Sequence, residues 1–473
     1  MKTSPQALGY TSLDEEITVD SLPVQGTLPR WLAGSLLRNG PAKFEVGEEH
    51  FRHWFDGLAM LHRFTFQDGT VSYANKFLQS EAYKSVMEAG RITFGQFATD
   101  PCKAIFKGAM TALTNANVSI NKVAGEYVAM TEAPLPIAFD PHTLETLGVV
   151  HYDDHLQGHH GSAHPHYDRT RRMSVSYHVE FGMQSTFQVW CIKDGEHRRT
   201  LIGSYPVMEP SYVHSFGMTE NYIVIVEYPY RVNPLNLLTS GKPFIENYEW
   251  RPQEPALFLL MNKHDGQLVA RYEGEAMFSF HHVNAFEQDG EVVVDLAAYR
   301  DASSIQKFYL DRLRAEVQQD EAPSDGEFRR YRLRLSRPGT SVNYELLSEQ
   351  AIELPTINYR RYNASEYGVA YGVGTGQQDS GSFINQLLRV DTRQHITKAW
   401  HEEGCYPGEP VFAGSPEARA EDDGVVLSVV LDARKGNSFL LVLNAATFEE
   451  IGRAEVPHHI PFGFHGQYFP RVQ

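Results

Sequence analysis

The segment RFTFQDGTVSY, residues 63–73, has the pattern of a β-hairpin. Apolar or aromatic residues alternate with polar ones on both sides of an Asp-Gly pair. Alternation with a period of two predicts strands, and Asp-Gly is typical of the tight turn that joins two antiparallel strands. The segment therefore predicts two paired strands around a turn at Asp68 and Gly69.

This strand, turn and strand pattern appears seven times along the chain. The last apolar residues before the turns lie 53 to 74 residues apart; they are Phe66, Phe139, Ile192, Met261, Leu335, Val390 and Leu443. A hairpin cannot bury both its faces alone, and repeats with room for about four short strands stack radially as blades. The repeat predicts an all-β fold, a seven-bladed propeller that forms a single domain over residues 1–473. A β-sandwich or several small β-domains in tandem is the alternative. The best helical pattern is SIQKFYLDRLRAEVQQ, residues 304–319.

Composition narrows the classes of function. The chain has 59 Asp and Glu against 42 Lys and Arg, a net charge of −17, which argues against binding to nucleic acid or to an anionic membrane through charge. No apolar stretch approaches the roughly 18 residues that span a bilayer. Three scattered cysteines, Cys102, Cys191 and Cys405, are too few for a disulfide framework or a cysteine zinc site, so a cytoplasmic location is expected.

Histidines recur at nearly one offset within the repeat. Four blades carry one at 20 to 25 residues after the anchor: His164, His214, His281 and His465. Equivalent positions in a propeller converge on its axis, and four imidazoles around one point make a metal site. Because the chain has 21 histidines, four of them at similar offsets can also arise by chance. The pairs His151 with Asp153 and His166 with Asp168 offer a competing iron motif of two histidines and one carboxylate. The neighbours His160, His166 and His282 are interpreted as structural or as supporting the metal ligands.

Three glutamates lie in apolar surroundings. Glu353 and Glu409 follow the anchors of blades that lack a histidine at the offset, and Glu132 lies in VAMTEAPLP. A carboxylate among apolar residues needs a partner, and a metal-bound imidazole offers its second N–H. These glutamates are therefore candidates to hold the ligand rings, with a strand-end or surface position as the alternative.

Four segments around these histidines carry a family resemblance. GSAHPHYD (161–168), SYVHSFGMTENYIVIVE (211–227), FSFHHVNAFE (278–287) and PFGFHGQYF (461–469) resemble the histidine motifs of the carotenoid cleavage oxygenase family, in its order. The resemblance implies a seven-bladed propeller with helical and loop segments over one face. It further implies one Fe(II) per chain bound by His164, His214, His281 and His465 alone, with Glu132, Glu353 and Glu409 hydrogen-bonded to the ligands. On this basis the His-x-Asp interpretation is set aside.

The resemblance also implies an activity, the oxidative cleavage of one C=C bond with O2 as co-substrate. ATDPCKAIF (98–106) is similar to the branch that contains β-carotene oxygenases and the retinal pigment epithelium isomerohydrolase. Thr131 stands where the stilbene-cleaving branch places a lysine, which favours a hydrocarbon-like polyene over a hydroxystilbene. Together with the DPCK segment and an aromatic content suited to a long apolar tunnel, it predicts a carotenoid or apocarotenoid cut near its centre to give retinal. A stilbene-cleaving dioxygenase, a retinyl-ester isomerohydrolase, and a non-catalytic propeller that binds a lipophile or a protein are the alternatives.

Two further groups of residues are expected to handle a lipophilic polyene. Phe94 and Thr131 should face the substrate in its tunnel. In KAIFKGAMTAL the apolar positions share one helical face beside two lysines, which predicts a peripheral membrane contact, and NPLNLL (233–238) could extend it. The residues of this face are Ile105, Phe106, Ala109, Met110 and Leu113, and the alternative is a helix packed in the core. The sequence indicates no obligatory protein partner.

Overall fold

The computed structural model describes residues 4–99, 114–315, 326–376 and 384–470. Within these ranges the chain forms seven antiparallel sheets of four to six strands and two separate two-stranded ribbons. Seven sheets for seven repeats confirm the predicted propeller, and each predicted hairpin joins two neighbouring strands of one blade or, at Leu335, directly follows the third strand.

Blades 1 to 4 follow one another in chain order, except that the last strand of the described chain belongs to blade 1. Blade 1 contains, in sheet order, β36 (Gly466–Phe469), β3 (Gly34–Lys43), β6 (Leu58–Gln67), β7 (Thr70–Phe77) and β1 (Thr18–Val19). Blade 2 contains β8 (Ser119–Val123), β9 (Glu126–Met130), β10 (Ile137–Phe139) and β11 (Thr146–Val149). Blade 3 contains β12 (His160–Gly161) and β13 (His166–Asp168), both paired with β14 (Met173–Glu180), then β15 (Ser185–Lys193) and β16 (Thr200–Val207). Blade 4 contains β17 (Gly217–Met218), β18 (Tyr222–Glu227), β21 (Ala256–Asn262) and β22 (Leu268–Gly274).

The remaining blades repeat the arrangement. Blade 5 contains β23 (His282–Gln288), β24 (Glu291–Ala298), β25 (Glu327–Arg334) and β26 (Tyr344–Leu346). Blade 6 contains β27 (Glu353–Ile357), β28 (Val369–Gly374), β29 (Gln386–Asp391) and β30 (Ile396–His401). Blade 7 contains β31 (Cys405–Pro407) and β32 (Val411–Gly414), both paired with β33 (Gly424–Asp432), then β34 (Asn437–Asn444), β35 (Glu450–Glu455) and β2 (Val24–Gly26). The ribbons are β19 (Tyr230–Val232) with β20 (Tyr248–Trp250), and β4 (Glu45–Val46) with β5 (Glu49–His50).

The two ends of the chain close the ring. The last strand, β36, pairs with β3 from Ser35 opposite Phe469 to Arg38 opposite Gly466. At the other end, β2 pairs with β35 of blade 7, with Val24 opposite Ala454. Closure satisfies strand edges that would otherwise be open for pairing with other chains. It also brings His465, which directly precedes β36, into the first blade.

The turn at Asp68 and Gly69 has the geometry that its residues favour. Asp68 and Gly69 both have positive φ, at 50° and 82°, and Gln67 pairs with Thr70 across the turn. Positive φ at both central residues defines the type I′ turn, whose twist matches that of the flanking strands. Glycine at the second position therefore has a direct conformational reason.

Helices are short and few in the described ranges. They are α1 (Glu81–Ala89), α2 (Pro234–Thr239), α3 (Ser303–Lys307), α4 (Leu310–Arg314) and α5 (Tyr359–Tyr362), with 3₁₀ turns at Pro5–Tyr10, Trp54–Asp56 and Phe244–Asn247. The single helix predicted from residue 304 is wrong, because α3 and α4 are separated at Phe308 and Tyr309. Tyr309 is extended, and the Phe308 carbonyl accepts the N–H of Trp54 at 3.0 Å instead of continuing the helix. No helix among the described residues is long and apolar enough to cross a membrane.

Candidate metal centre

The four histidines predicted from the repeat occupy the same place in four blades. His164, His214, His281 and His465 each precede, by one to three residues, the first strand in sheet order: β13, β17, β23 and β36. Their ligating atoms lie within 4.8 Å of one another. The first strands of the sheets therefore line the axis, and the structure brings the four imidazoles together on it.

The rings face each other through their Nε2 atoms. Nε2 of His164 lies 3.0 Å from Nε2 of His214, and Nε2 of His281 lies 3.1 Å from Nε2 of His465. The ring centroids of His164 and His465 are 4.4 Å apart, with the ring planes at 82°. Four Nε2 atoms thus surround one small volume.

Three of the rings are oriented by carboxylates. Nδ1 of His214 lies 2.7 Å from Oε1 of Glu132, Nδ1 of His281 lies 2.5 Å from Oε2 of Glu353, and Nδ1 of His465 lies 2.7 Å from Oε1 of Glu409. Because a carboxylate accepts, each Nδ1 carries the proton and each Nε2 presents its lone pair. His164 is positioned through its backbone, whose N–H donates to Ser162 Oγ at 3.0 Å.

Each carboxylate has a further partner, and these partners differ. Tyr212 donates its hydroxyl to Oε1 of Glu132 at 2.8 Å, and Tyr299 donates to Oε1 of Glu353 at 2.7 Å. Glu409 instead pairs with the buried guanidinium of Arg38 and accepts the N–H of Gly466 at 2.8 Å. Two glutamates are therefore supported by phenols and the third by a cation.

Burial and mutual proximity favour the neutral form of His164, His214 and His465. Burial, followed by the neighbouring imidazoles, holds the pKa of His164 and of His214 well below the usual value. Burial also lowers the pKa of His465, although Glu409 opposes the shift. Neutral imidazole is the form that binds a metal ion.

The pKa values of the three glutamates differ because their surroundings differ. Burial raises the pKa of Glu132 to about 7. The pKa of Glu353 and of Glu409 lies below its usual value. Burial alone would raise it, but nearby histidines and backbone N–H groups outweigh the effect of burial, and Arg38 adds to the lowering at Glu409. The two glutamates with more donors are thus the more firmly ionised.

The donor set fits a cation. With Nδ1 of His281 and of His465 each donating to a carboxylate, the two Nε2 atoms face each other lone pair to lone pair at 3.1 Å. That arrangement is repulsive unless a positive charge lies between the nitrogens. Imidazole suits divalent iron, copper, nickel and zinc, and the three carboxylates outside the ring cluster offset the charge of such an ion.

The competing motif does not assemble. His151 and Asp153 are exposed, away from the buried cluster. Asp168 is engaged in ion pairs with Lys263 at 2.9 Å and with Arg171 at 2.7 Å, and Nε2 of His166 bonds the carbonyl of Phe216 at 2.8 Å. Setting the His-x-Asp interpretation aside agrees with these contacts.

The predicted substrate and membrane residues fall in three places. Phe94 is buried in a separate hydrophobic cluster with Phe51, Leu58 and Val86, not in the cluster next to the histidines. Thr131 is half-buried and directly precedes Glu132. The face formed by Ile105, Phe106, Ala109, Met110 and Leu113 lies outside the described residues.

A chain of aromatic rings runs away from the histidines, and neither the repeat nor the motifs predicted it. Phe280 and Phe464 directly precede two of the clustered histidines, and Phe55 contacts both, at ring centroid distances of 6.0 and 5.1 Å. Phe55 contacts Phe97 at 5.1 Å, and Phe97 contacts both Tyr212 and Phe244, at 5.9 and 6.4 Å. We call these rings the aromatic line: Phe464, Phe280, Phe55, Phe97, Tyr212 and Phe244. The phenylalanines in FSFHH and FGFHG were its one visible signal in the sequence.

Fold and site together define a propeller protein with a four-histidine site on its axis. The family model described as retinal pigment epithelial membrane protein matches residues 10–470. Carotenoid-cleaving dioxygenase, mitochondrial, from Macaca fascicularis is 35% identical over 97% of this chain and 94% of its own length. Beta,beta-carotene 15,15'-dioxygenase from Gallus gallus is 33% identical over 95% of each chain. The crystal structure of an ACO/RPE65 chimera superposes with a TM-score of 0.87 at 26% identity, over 99% of this chain and all of that one.

These similarities confirm the resemblance read from the motifs. The family match spans nearly the whole chain, and curated relatives above 30% identity cover it almost end to end. The chain belongs to the carotenoid oxygenase family and is an enzyme of that family.

Proposed function

We propose that this protein is an Fe(II) dioxygenase that cleaves one C=C bond of a carotenoid or apocarotenoid, near its centre, and releases retinal. The observation that carries the proposal is the convergence of four imidazole Nε2 atoms beside a line of aromatic rings. The proposed ligands are His164, His214, His281 and His465, one iron per chain. The names of the curated relatives, a carotenoid-cleaving dioxygenase and a beta-carotene dioxygenase, support this choice of substrate.

Bound Fe(II), held by the four histidines, would supply the site at which dioxygen is activated. The histidines contribute no charge, so the ion keeps its full positive charge. Glu132, Glu353 and Glu409 offset that charge from a distance and fix the ring orientations. The overall reaction adds both atoms of O2 to the two carbons of one double bond and yields two carbonyl products.

The aromatic line would bind the polyene. A polyene offers no hydrogen bonds along its length, so only shape and dispersion can fix which bond lies beside the metal. Phe280 and Phe464 precede metal-binding histidines, and Phe55 packs against both rings. We therefore assign the choice of bond to these rings, with Thr131, beside Glu132, as a further candidate.

The test is turnover with product masses. Purified protein loaded with Fe(II) is incubated under ¹⁸O₂ with β-carotene, several apocarotenals and resveratrol in turn. The proposal expects retinal with ¹⁸O label from a carotenoid substrate. Cleavage of resveratrol alone would move the protein to stilbene chemistry, and release of a retinol from a retinyl ester without oxygen uptake would make it an isomerohydrolase.

We further propose that the substrate arrives from a membrane surface. Within the described residues Leu235 and Leu238, three residues apart on α2, form an exposed apolar patch, at 62% and 74% exposure, and Met183 is 98% exposed. Phe244, at one end of the aromatic line, follows α2 by five residues and contacts Phe181, two residues before Met183, at 6.3 Å between ring centroids. Apolar side chains beside a substrate route favour contact with lipid.

The membrane proposal is tested by charging the patch. Leu235→Asp with Leu238→Asp should lower liposome binding while iron content stays at one per chain. Phe106→Asp with Met110→Asp tests the face predicted from the sequence. Liposome binding that survives both double variants would contradict the proposal, and loss of the folded state in the second would show that Phe106 and Met110 are core residues.

A further inference from the structure

Asp56 carries a buried carboxyl group that has no role in the proposed reaction. It ends the 3₁₀ turn Trp54–Asp56, directly after Phe55 of the aromatic line, and its exposure is 0%. Aspartate is rarely buried so completely unless a cation or hydrogen bonds satisfy it. The guanidinium of Arg52 is paired with Glu246 at 2.9 Å, so within the described ranges Asp56 is satisfied by hydrogen bonds. Burial raises the pKa of Asp56 to about 7, which shows what its placement costs.

Both oxygens of this carboxylate accept hydrogen bonds from one short segment. Oδ1 of Asp56 accepts the backbone N–H of Ala98 at 3.1 Å, and Oδ2 accepts the hydroxyl of Thr99 at 3.0 Å. These two donors directly follow Phe97, whose ring contacts that of Phe55 at 5.1 Å between ring centroids. The carboxylate therefore joins the turn that carries one ring of the aromatic line to the segment that carries the next ring.

The same segment is joined to a third ring of the line. The Phe97 carbonyl accepts the backbone N–H of Ile245 at 3.0 Å, and Ile245 directly follows Phe244. On the other side, the Phe55 carbonyl accepts the side-chain amide of Asn117 at 2.8 Å. The backbones that carry three of the rings are thus held by one hydrogen-bond network, and the buried carboxylate is its link between the first two.

We propose that Asp56 is a positioning residue that selects the bond to be cleaved, because its carboxylate holds Phe55 and Phe97 at the separation that sets the register of the polyene. This inference rests on the proposed function, which assigns the choice of bond to the rings around Phe55. Attraction between apolar groups falls steeply with distance, and a gap of about 0.5–1 Å already loses a quarter to a half of it. A small shift of either ring would therefore change which double bond lies beside the histidines.

The variants remove acceptors or donors of this link one at a time. Asp56→Ala removes both acceptor oxygens, Asp56→Asn keeps one, and Thr99→Val removes one donor with little change of shape. Glu287→Ala is the matched control. Glu287 also accepts a backbone N–H, from Asn221 at 2.8 Å, and a threonine hydroxyl, from Thr219 at 2.6 Å, and none of these three residues belongs to the aromatic line.

Three quantities are measured, all at a pH above the pKa of Asp56. Iron-loaded protein is incubated with β-carotene, and product masses give the share of cleavage at the bonds next to the main one. The affinity for β-carotene is measured without oxygen, through quenching of tryptophan fluorescence. Tm shows how far each variant is destabilised.

Asp56→Ala should raise the share of cleavage at neighbouring bonds by about tenfold, the scale of one well-made hydrogen bond to a charged group. Asp56→Asn and Thr99→Val should raise it by a smaller factor, because each keeps part of the link. Glu287→Ala should lower Tm and leave the share of each product unchanged, since a merely structural carboxylate has no influence on the register of the polyene.

Unchanged product shares in folded Asp56→Ala, or an equal rise in Glu287→Ala, would overturn the positioning role. If Asp56→Ala does not fold, unchanged shares in both Asp56→Asn and Thr99→Val would overturn it instead.

Failure of the proposed function is distinguishable from failure of this inference. If the unsubstituted protein cleaves no polyene, the reaction assignment falls, and the affinity measured without oxygen decides the role of Asp56. The affinity for β-carotene should then fall in Asp56→Asn and Thr99→Val and stay unchanged in Glu287→Ala. Equal affinities in all three variants and the unsubstituted protein would exclude a positioning role.

Discussion

The metal centre has two unlike sides. On one side, Glu132 and Glu353 orient their histidines while accepting phenol hydroxyls from Tyr212 and Tyr299. On the other, Glu409 orients His465 while paired with the guanidinium of Arg38. A phenol is neutral and a guanidinium is charged. Removal of a phenol hydroxyl therefore takes away one hydrogen bond, whereas removal of the guanidinium leaves the buried carboxylate without a counter-charge. The glutamates on both sides orient an imidazole, but the free-energy cost of losing their support differs between the two sides.

The largest effect should follow from removing an imidazole itself, on either side. Replacement of His164, His214, His281 or His465 by alanine removes one of four donors to the ion, so we expect loss of stoichiometric iron and of activity. Iron is measured by elemental analysis, and Tm is compared with and without Fe(II), because a ligand that binds only the folded state raises Tm.

His151→Ala is the control for the histidine series, since His151 is exposed and away from the cluster. It should keep full iron content and the iron-dependent rise in Tm. A four-histidine centre would be wrong if any of the four alanine variants retained one iron per chain with unchanged affinity.

The cation-supported side should be the more fragile in stability. Arg38→Met leaves the buried carboxylate of Glu409 without its counter-charge, and removal of one partner from a buried pair typically costs about 3–5 kcal/mol in the free energy of unfolding. Denaturant unfolding measures this loss. Arg38→Lys restores a charge but not the second bond, from the Arg38 guanidinium to the Phe464 carbonyl at 3.0 Å, and should recover part of the stability.

An exposed pair provides the control for Arg38. Arg334 bonds Glu291 at 3.0 Å on the surface, so Arg334→Met should change the free energy of unfolding by no more than about 1 kcal/mol. Equal losses in Arg38→Met and Arg334→Met would remove the distinction between the two sides.

Exchange of a carboxylate for an amide tests the orienting role directly. Glu132→Gln, Glu353→Gln and Glu409→Gln should each lower iron affinity by about 10–100-fold, which is the usual cost of losing an outer partner of a metal-binding histidine. Affinity is measured by competition with a chelator of known strength. Glu180→Gln is the control, because Glu180 is exposed on β14. An orienting role would be excluded if iron affinity matched the control in all three variants.

The contrast between the two sides also marks what the sequence could predict. The seven hairpins and the four histidines were predictable because a repeat forces equivalent residues into equivalent places, and the glutamates stood out as charges among apolar residues. The role of Arg38 was not predictable, because Arg38 lies in β3 and meets Glu409, 371 positions later, only through ring closure. Tyr299 likewise reaches Glu353 from another blade.

Other failures have local physical causes. The prediction of one helix from residue 304 failed because of a tertiary contact. The Phe308 carbonyl accepts the N–H of Trp54, and the helix is interrupted there. Phe94 was chosen for its aromatic ring and its place near a motif; it packs in a satellite cluster, and its contact with substrate stays a prediction. Phe55, which links the rings beside two clustered histidines, carries no periodic signal at all. The cytoplasmic location predicted from the cysteine count stays a prediction.

The smallest effect, and the finest test of the comparison, concerns the two phenols. Tyr212→Phe and Tyr299→Phe each keep the ring and remove one hydrogen bond, so iron affinity should fall by less than in the glutamine variants, about three- to tenfold. Tyr212→Phe should be the larger, because Glu353 also accepts the N–H of Leu354 at 2.6 Å, whereas Tyr212 is the donor to both oxygens of Glu132. Tyr371→Phe is the control, since Tyr371 donates to the Ala445 carbonyl at 3.2 Å and should affect unfolding alone. If all three variants bind iron with the affinity of the unsubstituted protein, the phenols serve only the packing of the blades, and the two sides of the centre differ in stability but not in how they hold the metal.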